Sequence, residues 1–473
     1  MVDGLTGDRL TVAGDYTGLD NALRVDTYLG DDSSPTDLVF VGGDTMGTMD
    51  LFVNSTDPAA PGAQTDKGIR VVDVGGASNG VFKLENPNST LAATGEDSIT
   101  QGAYAYALRK GGGGDWYLQS ELLAGPVDPV DPVPTFNQGA GVYETYAQDL
   151  LAFTRLPSLR QRAGNRSWAM PAAPVCFADG QGRENAGNAP ACIEEGGLWA
   201  RSEGETADIV PQVSSAGVSG YDRDIGRIEA GIDGLLHESG QGKLIGGVSA
   251  HYGSGGSSVA SFHGGGEIDS RAYGMGGTLT WYGQNGFYAD VQGRLNWFSS
   301  DLASALLGNL ASGNDGFGYG LSLEAGQRFA IGDNWALTPQ AQLSYASVDF
   351  DGFTDPFAAR VSLEDGDSLR ARIGLSIDYE NIWQGQQGDT RRMQVYGIAN
   401  VIHDMSGRTR ARMSDVTLDS RPDSWTGEVG LGGSYNWGDD KYALYGELRA
   451  ATGLTDFGDS HAQGGTVGLR VKF

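Results

Sequence analysis

Few side chains in this 473-residue sequence are spaced for catalysis. The run Gly458-Asp459-Ser460-His461 has the residue types of a hydrolase serine motif, but it falls in a predicted loop, where a structural turn is the favoured interpretation. The histidines lie mostly in or near predicted turns, without the carboxylate spacing of a protease or phospholipase site. They are His237, His251, His263, His403 and His461. The sequence therefore predicts no catalytic residue and a protein that is not an enzyme.

The two cysteines, Cys176 and Cys192, lie in a stretch rich in glycine, alanine and proline, with fifteen residues between them. A local disulfide is expected if the protein leaves the cytoplasm. The alternative is two unpaired, buried thiols. Because no histidine ligand lies nearby, a zinc site is not expected.

Phosphate and metal sites are equally poorly supported. The glycine runs at 111–114 and 274–277 lack the Lys-Ser/Thr pair that a phosphate-binding loop needs. Acidic turns such as residues 30–37, GDDSSPTD, offer oxygen ligands for calcium, but no ligand pattern repeats, so solvated loops are favoured. We therefore predict neither a metal nor a cofactor.

Composition indicates a β-rich protein of two or three domains. Glycine contributes 75 residues and proline only 16, without a Gly-X-Y period, which disfavours collagen and disorder. The net charge of -28 would repel nucleic acid. No apolar run reaches the roughly 18 residues of a membrane-spanning helix, although barrel strands, which alternate in polarity, remain compatible with a mean hydropathy of -0.29.

The chain begins MVDGLTGDRL, which has neither the basic segment nor the apolar core of a secretory signal. The start is therefore truncated, or the chain is a fragment of a longer secreted protein. We favour the fragment.

The first segment, residues 4–123, consists of short β-branched runs separated by Gly, Asp, Ser and Asn turns. This pattern is typical of a parallel β-solenoid, with an ordinary antiparallel β-sandwich as the alternative. Aromatic strands in QGAYAYALRK and DWYLQSELL would cap its open end. Four prolines in residues 125–135 then predict a stiff, extended linker.

The second segment, residues 138–156, has a helical period through Val142, Tyr146, Leu150 and Phe153, and Pro157 ends it. Nineteen residues would make a helix of roughly 28 Å, close to the height of a bilayer's hydrocarbon core. The alternative is a helix on the surface of a soluble domain.

The third segment, from about residue 197 to the C-terminus, contains twelve stretches in which apolar and polar residues alternate. Residues 369–380, for example, place Leu, Ala, Ile, Leu, Ile and Tyr on one face and polar or small residues on the other. The predicted strands are 198–207, 223–236, 242–253, 268–282, 286–300, 315–331, 334–348, 368–383, 390–404, 425–437, 440–452 and 463–473.

The connections between these strands alternate between long and short. Long connections are predicted at 208–222, 254–267, 301–314, 349–367, 405–424 and 453–462. Outer-membrane barrels have long external loops and tight periplasmic turns, so this asymmetry favours a membrane barrel over a soluble sandwich. Tryptophan and tyrosine near strand ends agree with interfacial girdles, although β-propensity alone would explain their abundance.

The sequence resembles the autotransporter (type V secretion) family with pertactin-like passengers, and the resemblance covers nearly the whole chain. GDRLTVAGDYTG, LRVDTYLGDDSSPTD, GGDTMG, KGIRVVDVGG, GAYAYALRKG and DWYLQS are similar to that family's autochaperone region. DKYALYGELRAATGL, FGDSHAQGG and TVGLRVKF are similar to its last two strands. The paired asparagines at which some members cleave their passenger are missing, since Gln138 follows Asn137, which disfavours self-cleavage.

The resemblance implies an all-β fold: a twelve-stranded antiparallel transmembrane barrel with a pore helix, preceded by the end of a right-handed parallel β-helix. The implied domains are a passenger end at 1–124, a linker at 125–137, the pore helix and cysteine-containing connection at 138–196, and the barrel at 197–473. Charged side chains predicted to line the pore and contact the helix are Arg201, Glu229, Asp233, Arg294, Glu324, Arg370, Arg372, Glu428, Glu447 and Arg449. General solvation of the pore is the alternative role for them.

The family also implies that the C-terminal strand is the signal read by the outer-membrane barrel assembly machinery. Here that signal would consist of Val467, Leu469, Val471 and Phe473. A free apolar strand edge is a template for pairing with a partner strand.

The expected function is an autotransporter translocator unit that exports and displays its own N-terminal passenger at the bacterial surface. Its expected partners are outer-membrane lipid, the assembly machinery and the passenger; nucleic acid is not expected, and the barrel is expected to be monomeric. Two alternatives remain: a surface adhesin whose binding part is the passenger, and a porin-like channel. A porin would not carry the solenoid and the proline linker.

Overall fold

The computed structural model describes residues 2–86, 90–121, 134–164, 196–385 and 388–472. Strands dominate this part of the chain. None of its helices combines the length and the apolar character needed to cross a membrane.

The N-terminal strands form two parallel ladders, as a β-solenoid requires. The six strands are β1 Arg9–Val12, β2 Tyr16–Thr27, β3 Leu38–Val41, β4 Thr45–Ser55, β5 Ile69–Val74 and β6 Val81–Leu84. One ladder pairs β1 with β3 and β3 with β5; the other pairs β2 with β4 and β4 with β6. Val39, Met49, Leu51 and Val72 are buried between the ladders.

An antiparallel meander ends the solenoid, and we call it the passenger cap. It consists of β7 Thr90–Leu91, β8 Asp97–Gln101, β9 Tyr104–Lys110 and β10 Trp116–Gln119. Strand β10 pairs antiparallel with β5, so the direction of the sheet reverses there. Trp116 packs edge-on against Phe82 of the last coil at 5.4 Å between ring centroids. Aromatic side chains thus cover the end of the core, where another coil would otherwise stack.

The acidic turns of the solenoid accept backbone hydrogen bonds from neighbouring coils. Asp15 accepts from the Asp44 amide at 2.8 Å, and Asp44 in turn accepts from the Ala77 amide at 2.7 Å. Asp32 accepts from three successive amides, at positions 66 to 68, at 2.8 to 2.9 Å. Burial alone would raise the pKa of Asp32, but these three donors and the Lys67 charge lower it below its usual value. These aspartates therefore join coil to coil.

Two helices follow: α1, Ala140–Thr154, and α2, Leu159–Ala163. Every residue of α1 is buried. The helix is shorter than the predicted 138–156, because Gly139 is its N-cap and Arg155 already has an extended conformation. Pro157 disfavours a helical conformation at Leu156, so the helix does not extend to the predicted residue 156.

Twelve antiparallel strands form a closed barrel, in which the last strand pairs with the first. They are β11 Gly196–Ile209, β13 Val218–Ser239, β14 Gly242–Ser261, β15 Gly266–Gly283, β16 Phe287–Ser304, β17 Gly308–Gln327, β19 Trp335–Phe350, β22 Asp367–Gln384, β23 Thr390–Asp404, β26 Trp425–Trp437, β27 Tyr442–Gly453 and β28 His461–Lys472. A two-residue strand, β18 Phe329–Ala330, continues β17 along β19. The fold class predicted from the sequence is confirmed.

The outer face of the barrel is apolar. Ile373 and Leu448 are each 71% exposed and Leu431 is 63% exposed, whereas Arg372 and Glu447, which precede the first two, point inward and are buried. Large aliphatic side chains exposed around a whole barrel are compatible with lipid and not with water.

Two predicted long loops are largely strand. Strands β14 and β15 continue to a tight turn at 262–265, and β16 and β17 to one at 305–307, through stretches predicted as the loops 254–267 and 301–314. Glycine and serine dominate residues 254–267, and residues 301–314 mix leucine and alanine with glycine, serine and asparagine, so neither stretch has the regular apolar alternation of the other barrel strands. The prediction of loops was wrong at both places.

Three of the four remaining long connections, 208–222, 349–367 and 405–424, build a small side sheet at the same end. Its strands are β12 Val213–Ser214, β20 Phe353–Thr354, β21 Arg360–Asp365, β24 Thr409–Met413 and β25 Val416–Arg421. We call this end, with the turns at 262–265 and 305–307, the mouth. The opposite end, which carries the short turns, is the base.

Candidate functional site: the barrel lumen and its plug

The barrel lumen contains all ten of the charged residues that the sequence predicts for it, because each occupies the inward-facing register of its strand. Glu229 lies at the centre of the tightest group. Its carboxylate accepts from Arg201 at 2.5 Å, from Arg294 at 2.9 Å and from the Ser249 hydroxyl at 2.7 Å. Two cations around one buried carboxylate compensate for its desolvation.

Three further predicted residues bind partners elsewhere on the barrel wall. Glu324 lies 3.0 Å from Arg372, and Glu324 also accepts from the Tyr288 hydroxyl at 2.7 Å. Asp233 accepts from the Trp199 indole at 3.1 Å.

The charges on the wall facing α1 are more loosely arranged. Glu428 and Arg370 lie 3.9 Å from their partners Arg449 and Asp404. Arg449 is also 2.8 Å from Glu205. Glu447 is bound from the plug side, as described below.

Helix α1 runs inside the lumen but not along its axis. Its main contacts are with strands β13 to β17, with β19 and with β24 and β25 of the side sheet. On the other side, a cavity of about 210 Å³ separates it from the wall that contains Glu203, Glu205, Arg370, Glu428 and Arg449. The lumen is thus only partly filled by the helix.

Polar contacts fix α1 against the side it touches. The Tyr146 hydroxyl donates to Asn314 at 3.1 Å, and Asp149 accepts from the Ser257 hydroxyl at 2.8 Å. Gln148 donates to the Gly407 carbonyl at 2.8 Å. Arg227 donates to the Phe153 carbonyl near the C-terminal end, where a helix has free acceptors.

Helix α2 is the part of the site that sequence reasoning missed. Arg160 pairs with Asp378, and Arg162 lies 2.6 Å from Asp290. Between them, Gln161 donates to Glu447 at 2.7 Å. Three side chains of one short turn therefore reach three different places on the wall.

The backbone of this turn is bound as well. The Leu159 amide donates to Glu324 at 3.0 Å, the Tyr445 hydroxyl to the Arg162 carbonyl at 2.8 Å, and Arg470 to the Ala163 carbonyl at 2.8 Å. Two signals in the sequence could have revealed the turn. Ser158 and Gln161 have the spacing of a capping box, which the structure forms. Arginines at positions 160 and 162 lie on either side of Gln161.

The predicted assembly signal and disulfide are only partly described. Val467 and Leu469 point outward and are 54% and 46% exposed, and Val471 is half-buried. Phe473, Cys176 and Cys192 lie outside the described residues.

The hydrolase-like run has a structural role in the described residues. The Ser460 hydroxyl binds the Val210 amide at 3.0 Å and so fastens the loop before β28 to the end of β11. His263 lies in a turn, and His237, His403 and His461 lie at or near strand ends. His251 lies in the middle of β14, faces the lumen and binds Asn296 at 2.8 Å. Within the described ranges, no three His, Cys, Asp or Glu side chains are grouped to hold a metal.

Family comparisons agree with this architecture. The model of the autotransporter β-domain matches residues 198–449, and that of the type 1 autochaperone domain matches residues 4–108. The chain belongs to the autotransporter family. Its barrel is an outer-membrane barrel attached to its own passenger, and the predicted family and location are confirmed.

Individual relatives point the same way. The adhesin BmaC autotransporter of Brucella suis biovar 1 (strain 1330) is 44% identical over 98% of this chain, which spans 13% of that protein. The pertactin autotransporter of Bordetella parapertussis (strain 12822) is 28% identical over 53% of this chain, matched to 26% of its own length. The crystal structure of the AIDA-I transport unit from Escherichia coli, 15% identical, covers 72% of this chain and all of its own, with a TM-score of 0.52. That likeness supports the fold.

Proposed function

We propose that this chain inserts into the outer membrane as a monomeric barrel, moves its own N-terminal passenger outward through the lumen and keeps it at the cell surface without acting as an enzyme. The path of the chain carries this proposal. From residue 138 at the mouth it descends through α1 to α2 near the base, and it returns upward as β11. A chain that follows this path joins a solenoid outside the cell to β11, the first barrel strand, which starts at the base.

The lumen suits the passage of an extended polypeptide. Its wall is lined by paired charges and amides, which hydrate a polar backbone better than an apolar wall would. Folding of the solenoid outside the cell supplies direction, beginning at the passenger cap, because the cap covers the end of the core nearest the membrane. Passenger 1–124, linker 125–137, plug and connection 138–196, and barrel 197–473 are the working units in this proposal.

Assembly would depend on the last strand. Val467, Leu469 and Val471 contact lipid, and with Phe473 they present the apolar edge that the barrel assembly machinery pairs with. The proposed disulfide between Cys176 and Cys192 would form once the connection has reached the periplasm.

A second candidate concerns the passenger. The 44% identity to an adhesin favours a surface-binding role for the cargo, which we propose only as the class of protein that this barrel displays.

The experiment uses the full chain in Gram-negative cells, preceded by a cleavable secretory signal and an N-terminal epitope tag that remains after cleavage. We expect protease added outside to remove the tag, and the isolated chain to migrate faster on gels before boiling than after. Deletion of Phe473 should lower the amount of heat-shifted barrel, whereas Lys472→Ala, next to it, should not. A tag protected in intact cells, or a chain without heat-dependent mobility, would refute the proposal.

A further inference from the structure

Residues 135–138, which include the end of the linker and lead into α1, pair with β9 of the passenger cap through one antiparallel bridge between Phe136 and Tyr104. The Asn137 amide donates to the Ala103 carbonyl at 2.9 Å, and the Ala105 amide donates to the Thr135 carbonyl at 2.9 Å. The segment therefore continues the antiparallel pairing of β9, although the chain has already left the passenger.

The same segment is bound by the barrel. The Phe136 amide donates to His263 at 3.3 Å, with the two rings 5.1 Å apart. The Ser304 hydroxyl donates to the Gln138 carbonyl at 3.2 Å. Four buried residues are thus shared between the cap and the mouth.

Asp355, in the connection between β20 and β21, joins these parts. One carboxylate oxygen accepts from the Tyr143 hydroxyl of α1 at 2.7 Å and from the Asn137 amide group at 3.1 Å. The other accepts from the amides of Phe357 and Ala359, each at 2.8 Å. Asp355 is 4% exposed, and no cation is among these four partners.

The loop that Asp355 holds also touches the passenger directly. The Gly102 amide, at the tight turn before β9, donates to the Phe357 carbonyl at 2.6 Å. Nearby, the Tyr104 hydroxyl donates to Asp415 of the side sheet at 3.2 Å. The mouth therefore contacts the folded cap through backbone as well as side chains.

We propose that Asp355 is a positioning residue that couples the folded passenger cap to the plug helix, so that neither can loosen at the mouth without the other. The inference rests on the proposed display function, since it concerns the exported, folded state. Its physical basis is that one buried carboxylate is satisfied by donors from three elements: its own loop, α1 and the passenger-proximal segment. When the donors of one element are lost, the donors of the other two remain bound to a buried carboxylate whose charge is less well compensated.

The test measures amide hydrogen exchange in the purified, detergent-folded full chain. Asp355→Asn keeps the size of the side chain but replaces a double acceptor with one acceptor and one donor. We expect exchange to become about tenfold faster or more at β9 and also at α1, as expected for losing a hydrogen bond to a charged group. Tyr143→Phe, which removes the hydroxyl that donates to Asp355, should accelerate exchange at β9 as well as at α1.

Asp423→Asn is the matched control. Asp423 also accepts two amides and one hydroxyl at the mouth, from Trp425 and Thr455, but it contacts neither the cap nor α1. The substitution Asp423→Asn should leave the rate of amide hydrogen exchange at β9 and α1 unchanged.

Heat-dependent mobility checks each sample, so that a failed barrel is distinguished from a failed coupling. An intact barrel in which Asp355→Asn and Tyr143→Phe affect α1 alone would overturn the inference.

Discussion

Helix α2 is expected to seal the lumen, because the cavity beside α1 extends along the lumen as far as Ser158, Gln161 and Glu447. Arg162→Met tests this by removing one charge while keeping most of the side-chain volume. Arg162 is 4% exposed and its partner Asp290 is fully buried, 2.6 Å away. Removing one partner from a buried ion pair costs about 3–5 kcal/mol.

The free-energy cost of Arg162→Met should be smaller than about 3–5 kcal/mol. Asp290 retains the Thr280 hydroxyl at 2.6 Å and the Gln292 amide at 2.8 Å, so the remaining carboxylate is still partly compensated. We expect about 2 kcal/mol, which lowers the ratio of docked to undocked α2 about 30-fold.

The assay is single-channel recording of the full chain in planar bilayers. The closed-to-open dwell ratio should fall by about 30-fold in Arg162→Met, and adding Asp290→Asn should cost less than the sum of the two single changes. Arg410→Met is the control, since its ion pair with Asp365 in the side sheet is exposed and worth at most about 1 kcal/mol. If Arg162→Met conducts as the unchanged protein does, the seal is elsewhere.

Three further predictions concern the lipid face, the acidic turns and the cap. Ile373→Arg should destabilise the barrel by about 2–4 kcal/mol in urea unfolding from lipid, whereas Phe457→Arg, on an exposed loop, should not. Because the pKa of Asp32 is lowered on folding, its contribution to the stability of the solenoid is present above its ordinary pKa of 3.8 and is lost as pH falls through the folded-state pKa. Asp32→Asn should therefore weaken the acid dependence of solenoid unfolding, which is followed by tryptophan fluorescence. The same acid dependence in the variant and in the unchanged protein would contradict this prediction. Gly102→Ala should make the passenger protease-sensitive, because φ is +57° and a Cβ would lie 1.6 Å from a backbone oxygen, whereas Gly112→Ala, which has open space, should remain resistant.

The barrel was predictable because lipid imposes a strict rule on its sequence. Every second side chain from Leu369 to Tyr379 must be apolar, and no such rule applies above the lipid layer. Strands β14 and β17 continue there with glycine, serine and asparagine, residues that also form loops, so their true length left no signal in the pattern.

Alternation predicts the face of the strand on which a charged residue lies, but it does not predict the partner of that residue. Alternation places Arg201 and Glu229 on the inner face, yet their 2.5 Å contact depends on the register between β11 and β13, which sets which residues lie opposite each other. The role of α2 depends on contacts across more than one hundred residues, such as Arg162 with Asp290 at a sequence separation of 128, and these exist only once the barrel has closed.

Two demands on the lumen explain why the plug carries arginines. In the proposed export, the wall must stay hydrated while the passenger passes, which favours carboxylates such as Asp290, Glu324 and Asp378. After passage, those groups lie in a nearly closed space where unpaired charge is costly. The cations of α2 neutralise two of the carboxylates, and the Leu159 amide bonds the third. The same charges thus serve an open conduit and, with α2 in place, a closed one.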